Sequence, residues 1–390
     1  RLCHLTGTFS LSLRVPVLRD LLIAQSVWHL MLNHPNKENG PNFMIRLRSL
    51  HRKIMELIFS LILLLARLYH HNIGSGIQRI SSYLCAAMVI PVSVHKIVLY
   101  STAVVSVVGN GLLLILLHHR TSFALGNYRA LLKVFVLVDI ATSLFDAWYI
   151  PMFIFREYAF LYFGYGALHL PSWESLMAEL AHTATFYLPF VLISLHFVYR
   201  FIALTRPSYL RDHFFFFMAA SFLYICFYLS VILTVFVFIT NQPGYDRLYE
   251  PLQAYAENMR TVPPPNVACV IYMDDKKKIR WFTFALGGLA GVIGGHTVII
   301  CVVCIVKILE SMKTRVLEIR VRRLHMQLFR ALLIQLLVPF VFSFLPFTVI
   351  ITIPALGGSF PYLGNICSLI TSLFPAIDPL LITISIPRYS

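Results

Sequence analysis

The sequence predicts an all-α membrane protein, a bundle of seven transmembrane helices with its N-terminus outside and its C-terminus inside. Three observations carry that prediction. Seven long apolar stretches fill the later part of the 390-residue chain, at approximately 97–117, 131–155, 180–204, 214–239, 281–308, 331–354 and 361–386. Charged residues make up 13% of the chain, about half the ~25% usual in soluble domains. Lys and Arg gather in alternate connections between the stretches.

Each stretch reaches the ~20 apolar residues that a helix needs to cross a bilayer. A chain in hydrocarbon must satisfy its backbone internally, and helices of this length do so. Orientation follows from the short loops. The first holds Arg120 and Arg129, the third Arg206 and Arg211, and the fifth Lys307, Lys313, Arg315, Arg320, Arg322, Arg323 and Arg330. The second sets Arg156 against Glu157, Glu174 and Glu179, and the sixth carries no charge. The positive-inside rule places loops one, three and five in the cytoplasm. The fourth loop, about 240–280, mixes Lys276, Lys277, Lys278 and Arg280 with five acids, and long loops influence orientation less.

Residues 1–95 read as an N-terminal extension, poorly ordered or an artefact of the gene model, ahead of a membrane domain at 96–390. The chain begins at Arg1, and its first 90 residues hold ten Lys and Arg against three acids. A basic run from Met44 to Lys53, followed by the apolar Ile54–Ala66, resembles a signal peptide or short anchor. The net charge of +15 sits here and in the loops rather than on a soluble domain, so it marks membrane topology and not a nucleic-acid partner.

Seven cysteines are scattered without zinc-like clustering. Cys301 and Cys304 lie inside the fifth stretch, where two small apolar residues one turn apart are the expected reading. Cys85 and Cys269 both fall outside by this topology, which leaves a disulfide between them open. No pair of histidines has metal-ligand spacing on one helix, and neither metal nor cofactor is expected. Gly-rich phosphate loops and His-Glu-x-x-His are absent, so the chain does not read as an enzyme.

Ionisable residues inside membrane helices default to functional roles. Asp139, Thr142, Ser143 and Asp146 share one face of span two, as a polar network, a cation site or interhelical glue. His182 stands near the outer end of span three and His196 near its inner end, with His296 in span five. By depth, Trp148, Tyr149, His182 and Tyr187 are candidate ligand contacts. Gly287, Gly291 and Gly295 form a small-residue seam in span five, used for packing within the bundle or for a homodimer. Pro151, Pro189, Pro339, Pro346, Pro354, Pro375 and Pro379 each remove a helical hydrogen bond, and kinks there provide hinges and cavities.

Five segments in order resemble the nematode seven-transmembrane chemoreceptors of the Str class. They are Gly109-Asn110 in span one, Leu125-Gly-Asn-Tyr-Arg129 before span two, and His196-Phe-Val-Tyr-Arg-Phe201 with Arg206-Pro207 at the end of span three. Leu333-Ile-Gln335 with Pro339 and Pro346 marks span six, and Pro375-Ala-Ile-Asp-Pro-Leu380 marks span seven. The resemblance covers about 96–390. After span seven the family's Tyr-Arg reads here as Arg388-Tyr389.

The resemblance implies a bundle of G-protein-coupled receptor type, binding a small odorant or other small chemical in its outer half. It implies a heterotrimeric G protein as partner and a plasma membrane location, in sensory-neuron cilia. It assigns His196, Tyr199, Arg200, Arg322 and Arg323 to coupling and activation, Pro339, Pro346 and Pro379 to hinges, and Asp378 to a polar network with Asp139 and Asp146. A snorkelling topology anchor is the plainer role for Arg200. The competing function is a small-molecule transporter or ligand-gated channel. Transporters tend to carry internal repeats, and none is convincing here.

Overall fold

In α1 (Val92–His119), Leu99, Ala103, Ser106, Asn110, Leu113 and Leu117 are buried at alternating spacings of four and three. Ile97, Val104, Val108, Leu112 and Ile115 are exposed. One stripe therefore faces neighbouring helices and the remainder is left for lipid. The computed structural model describes residues 92–119, 128–240, 267–274, 278–314, 319–360 and 363–385, all within one compact unit, Cys85–Ser390. The readings made of residues 1–91, including Cys85 and the basic run from Met44, lie outside the described residues.

The second helix, α2 (Tyr128–Tyr149), stops earlier than its apolar stretch. Pro151 keeps the residue before it out of helical conformation, and Ile150 sits at φ 53°. The expectation that span two runs to residue 155 is therefore corrected. Pro151–Arg156 is a strand, β1. It pairs antiparallel with β2 (Ala159–Gly164), which pairs antiparallel with β3 (Ala268–Ile271). The protein is mostly helical, and this three-stranded sheet is an addition that roofs one end of the bundle. Its strands are runs of aromatic and β-branched residues such as Phe153-Ile-Phe155 and Phe160-Leu-Tyr-Phe163. Such runs suit strands, but they are too short for period to separate them from membrane helix.

The remaining elements are α3 (Ser172–Thr205), α4 (Pro207–Asp212), α5 (Phe214–Thr240), α6 (Trp281–Thr314), α7 (Ile319–Pro339), α8 (Leu345–Ala355), α9 (Leu363–Ser372) and α10 (Phe374–Ser385). Among the described residues, six helical segments are long and apolar enough to cross a membrane: α1, α3, α5, α6, α7–α8 and α9–α10. The seventh helix is α2, whose apolar content is diluted by Arg129, Lys133, Asp139 and Asp146.

The centre of the bundle is α3. In its most apolar stretch 67% of residues are buried, against 17% for α5. Ile193 and Phe197 of α3 cluster with Phe135, Cys301, Cys304, Leu332 and Phe374 from neighbouring helices. Cys301 and Cys304 thus pack as small apolar groups. The helix also begins at Ser172 rather than near residue 180, which brings Glu179 into the bundle at 4% exposure. The second-loop placement of Glu179 is corrected.

Prolines break spans six and seven where the sequence places them. Pro339 ends α7, and a π-helical turn, Phe340–Phe344, follows before α8. A missing N–H allows that local rewinding. At the other end of α8, Gly358 N–H donates to Ile353 O and Gly357 N–H to Pro354 O, both at 2.9 Å. This is a Schellman closure with Gly357 in the left-handed position at φ 81°. The sheet is tied to the same region. Phe153 N–H donates to Asn365 Oδ1 at 2.9 Å, Ser368 Oγ to Pro151 O at 2.9 Å, and Tyr272 Oη to Ile351 O at 3.2 Å.

Candidate functional site

Beneath the sheet lies a cavity of about 130 Å³, lined from α2, α3, α5, α6, the π turn, α8, α9, α10 and all three strands. A water molecule needs roughly 10–15 Å³ of such space, so the cavity suits a ligand of roughly ten non-hydrogen atoms. Most of its wall is aromatic or aliphatic. Phe186 packs on Phe347 with centroids 4.8 Å apart, and Tyr187 stands edge-on to the same ring at 6.2 Å. An apolar wall with a few convergent polar groups is the usual form of a small-molecule site.

The polar groups converge from α2, α3 and β2. His182 Nε2 lies 3.1 Å from Asp146 Oδ1, with side-chain exposures of 14% and 11%. The other ring nitrogen, Nδ1, is hydrogen-bonded to the Tyr162 hydroxyl. Tyr149 stacks on the His182 ring at 4.8 Å and 22°, and its hydroxyl meets that of Tyr162. Burial pushes the Tyr162 hydroxyl well above the ordinary phenol range, so it remains a neutral phenol. Glu179 lies behind this wall, close enough to act electrostatically on both tyrosines.

Of the four aromatic and histidine residues singled out by depth, His182 and Tyr187 line the cavity. Tyr149 supports His182 from behind at 1% exposure, and Trp148 faces outward at 46%. The polar face of α2 divides between two places. Thr142 and Asp146 line the cavity, whereas Ser143 and Asp139 point into the middle of the bundle. There Ser143 Oγ donates to Ser106 Oγ at 2.6 Å, and Ser106 Oγ to Pro375 O at 3.0 Å. Asn110 Nδ2 donates to Pro375 O at 2.9 Å. Asp139 and Asp378 are fully buried beside this network and interact electrostatically with each other. Gln335 of α7 lies beside Asp378.

A third cluster closes the opposite end of the bundle around Tyr128. Tyr199 stacks on its ring at 5.5 Å, and His196 meets it edge-on at 5.6 Å. The Arg200 guanidinium sits 3.9 Å from the ring centroid. His196 Nε2 also lies 3.3 Å from Leu131 O. The three spaced residues of the His196-x-x-Tyr199-Arg200 motif therefore grip one aromatic ring at the start of α2. Arg200 is buried at 9% exposure, and its Nε and Nη2 have no hydrogen-bond partner among the described residues. Its charge reaches α7. Burial, and then Arg200, hold the His325 imidazole below its ordinary value. Arg322 and Arg323 lie on the backbone of α7, but their side chains are outside the described part.

On α6, a Cβ at Gly287 would meet Ile239 Cδ1 at 3.7 Å, while at Gly291 or Gly295 it would meet nothing within 4 Å. Among the described residues, nothing fills the seam at its last two glycines.

Tyr162, Phe347 and Tyr272 went unnoticed in the sequence because they sit in an unforeseen strand, within an apolar run, and at the edge of the longest loop. Glu179 carried a legible signal, an acid close to an apolar stretch.

The family model for the serpentine type seven-transmembrane G-protein-coupled chemoreceptor Str matches residues 95–390. The serpentine receptor class r-10 of Caenorhabditis briggsae is 23% identical over 285 residues, covering 71% of this chain and 82% of that protein.

Proposed function

Because the chain belongs to the Str family of serpentine seven-transmembrane chemoreceptors, we propose that it is a G-protein-coupled receptor for a small odorant or other small chemical, and that the ligand occupies the cavity under the sheet. The observation that carries this reading is the cavity itself, largely apolar with the Asp146–His182–Tyr162 group as its charged corner. Its size suits a volatile or small water-soluble molecule.

The basic short loops support an orientation with the sheet end outside and the Arg200 end in the cytoplasm. At that end Arg200 is the coupling residue. A buried cation with unused donors is costly in isolation, and a partner presenting carbonyl oxygens would satisfy it. Asp139, Asp378 and the prolines at 339, 346 and 379 form the middle of the device, where spans six and seven are broken. Ligand binding shifts the equilibrium only if the open state holds the ligand better. A plasma membrane site in a sensory-neuron cilium fits this role.

The test is the full chain in cells that report G-protein signalling, screened with small volatile and polar chemicals, beside Arg200→Ala at matched surface expression. A ligand response lost in the variant supports the reading. An equal response in both removes Arg200 from coupling, and an N-terminus found inside the cell overturns the orientation.

A further inference from the structure

We propose that the cavity selects small, largely apolar ligands bearing one hydrogen-bond donor, an alcohol or an amine, over the matching carbonyl compounds. This rests on the chemoreceptor reading above. The argument is which polar atoms of the wall are left to pair. Six of the hydroxyls that line the cavity already give their hydrogen to a backbone carbonyl, while those of Tyr187 and Ser343 give theirs to no described residue. Thr183, Thr185, Thr240 and Thr371 bond back along their own helices at 2.8–3.0 Å. Ser368 bonds Pro151 O at 2.9 Å and Tyr272 bonds Ile351 O at 3.2 Å. What each can turn toward a ligand is a lone pair.

The charged corner has the same character. A carboxylate only accepts, so the His182 Nε2 bonded to Asp146 carries hydrogen whatever the charge on the ring. The other nitrogen is engaged by Tyr162, so the imidazole keeps no donor for a ligand. Asp146 itself lines the cavity and has a second oxygen beyond the one His182 holds. An alcohol or an amine gives a hydrogen to that free oxygen of Asp146. A ketone offers Asp146 nothing and leaves a desolvated acceptor unpaired, and sites of this kind reject analogues that lack the donor.

The test takes the full chain and one carbon skeleton in three forms, 2-heptanol, 2-aminoheptane and 2-heptanone. Two readouts are used, the G-protein reporter in cells and thermal stabilisation of the purified chain in detergent. The expected result is a half-maximal concentration for the alcohol and the amine at least about tenfold below that of the ketone, with the gap closed in Asp146→Asn at equal surface expression. A ketone as potent as the alcohol overturns the assignment, as does an unchanged gap in Asp146→Asn. Wild-type protein alone decides the first comparison should the variant fail to fold. If the reporter is silent while the alcohol stabilises the purified chain and the ketone does not, the ligand class stands and the signalling reading falls. If none of the three stabilises it, the ligand class falls.

Discussion

The side-chain amide of Asn110 donates at 2.9 Å to the carbonyl of Pro375, the one carbonyl in α10 that Pro379 leaves without its helical N–H. Proline has no hydrogen to give four residues back, so α1 supplies it from Asn110 and Ser106. The two helices can approach because residue 109 is glycine. A Cβ there would stand 3.0 Å from the Pro379 ring. Asn110→Leu is expected to cost about 0.5–1.5 kcal/mol, the net worth of one buried hydrogen bond, because Ser106 still donates to the carbonyl. In a Pro379→Ala background the helix regains its own N–H, and the same substitution should cost less by at least ~0.5 kcal/mol. Thermal unfolding of the four proteins in detergent measures this, and equal penalties in both backgrounds would refute the pairing.

Tyr128 should act on signalling through its ring more than through its hydroxyl, which also meets Arg200. A desolvated cation over an aromatic face is worth ~2 kcal/mol, and Arg200 takes that position at 3.9 Å. Tyr128→Phe is expected to keep the ligand response, while Tyr128→Ala lowers its amplitude at unchanged ligand potency. Arg200→Lys should fail to replace arginine, since an ammonium does not stack. A dose–response curve for each variant, normalised to surface expression, distinguishes these outcomes. A Tyr128→Ala curve that overlays the wild type would remove the ring from coupling.

At Gly357 two independent constraints coincide. Its φ of 81° disfavours any side chain, at ~1–2 kcal/mol, and a Cβ would lie 2.6 Å from Tyr158 Cζ. Gly357→Ala should therefore destabilise by more than the backbone term alone. Adding Tyr158→Ala should recover only the steric part. Melting temperatures of the single and double variants check this, and full recovery would mean that the left-handed conformation carries no cost here.

The cavity wall predicts a shift in ligand size. Phe347 packs against Phe186 and Tyr187 at the cavity edge, so Phe347→Ala should move the preferred ligand to a longer chain by one or more carbons. Ala290→Phe, on the α6 wall, should weaken every ligand by about tenfold or more, the scale of a few methylene contacts. A homologous series in the reporter assay gives the profile, and an unmoved optimum in Phe347→Ala would place the ligand elsewhere.

Helix number and the identity of the polar positions were legible because both depend on short-range pattern. An apolar run of membrane length and an acid on a helical face can be read without knowing any neighbour. Asp146 and His182 were visible for that reason, and so were the proline breaks. Their partners were not. Tyr162 reaches His182 only because β2 folds over the bundle, and β2 forms because Pro151 ends α2. An apolar strand of six residues looks like the continuation of a membrane helix in composition. The extra turns of α3 that bury Glu179 were hidden for the opposite reason, since charge at 174 and 179 looks like a loop. The grip of His196, Tyr199 and Arg200 on Tyr128 joins two motifs that sequence places 68 residues apart (196 minus 128).

The sheet that roofs the cavity is anchored to α8 and α9 through Tyr272 with Ile351, Ser368 with Pro151, and Phe153 with Asn365. The cover is thus carried by the spans that contain the proline breaks. Any swing of α8 about the π turn at 340–344 must tilt the cover with it. Coupling between sites is reciprocal, so occupancy of the Arg200 end would be felt as a change in how tightly the cavity holds its ligand. Affinity at one end of the molecule becomes a gauge of what is bound at the other.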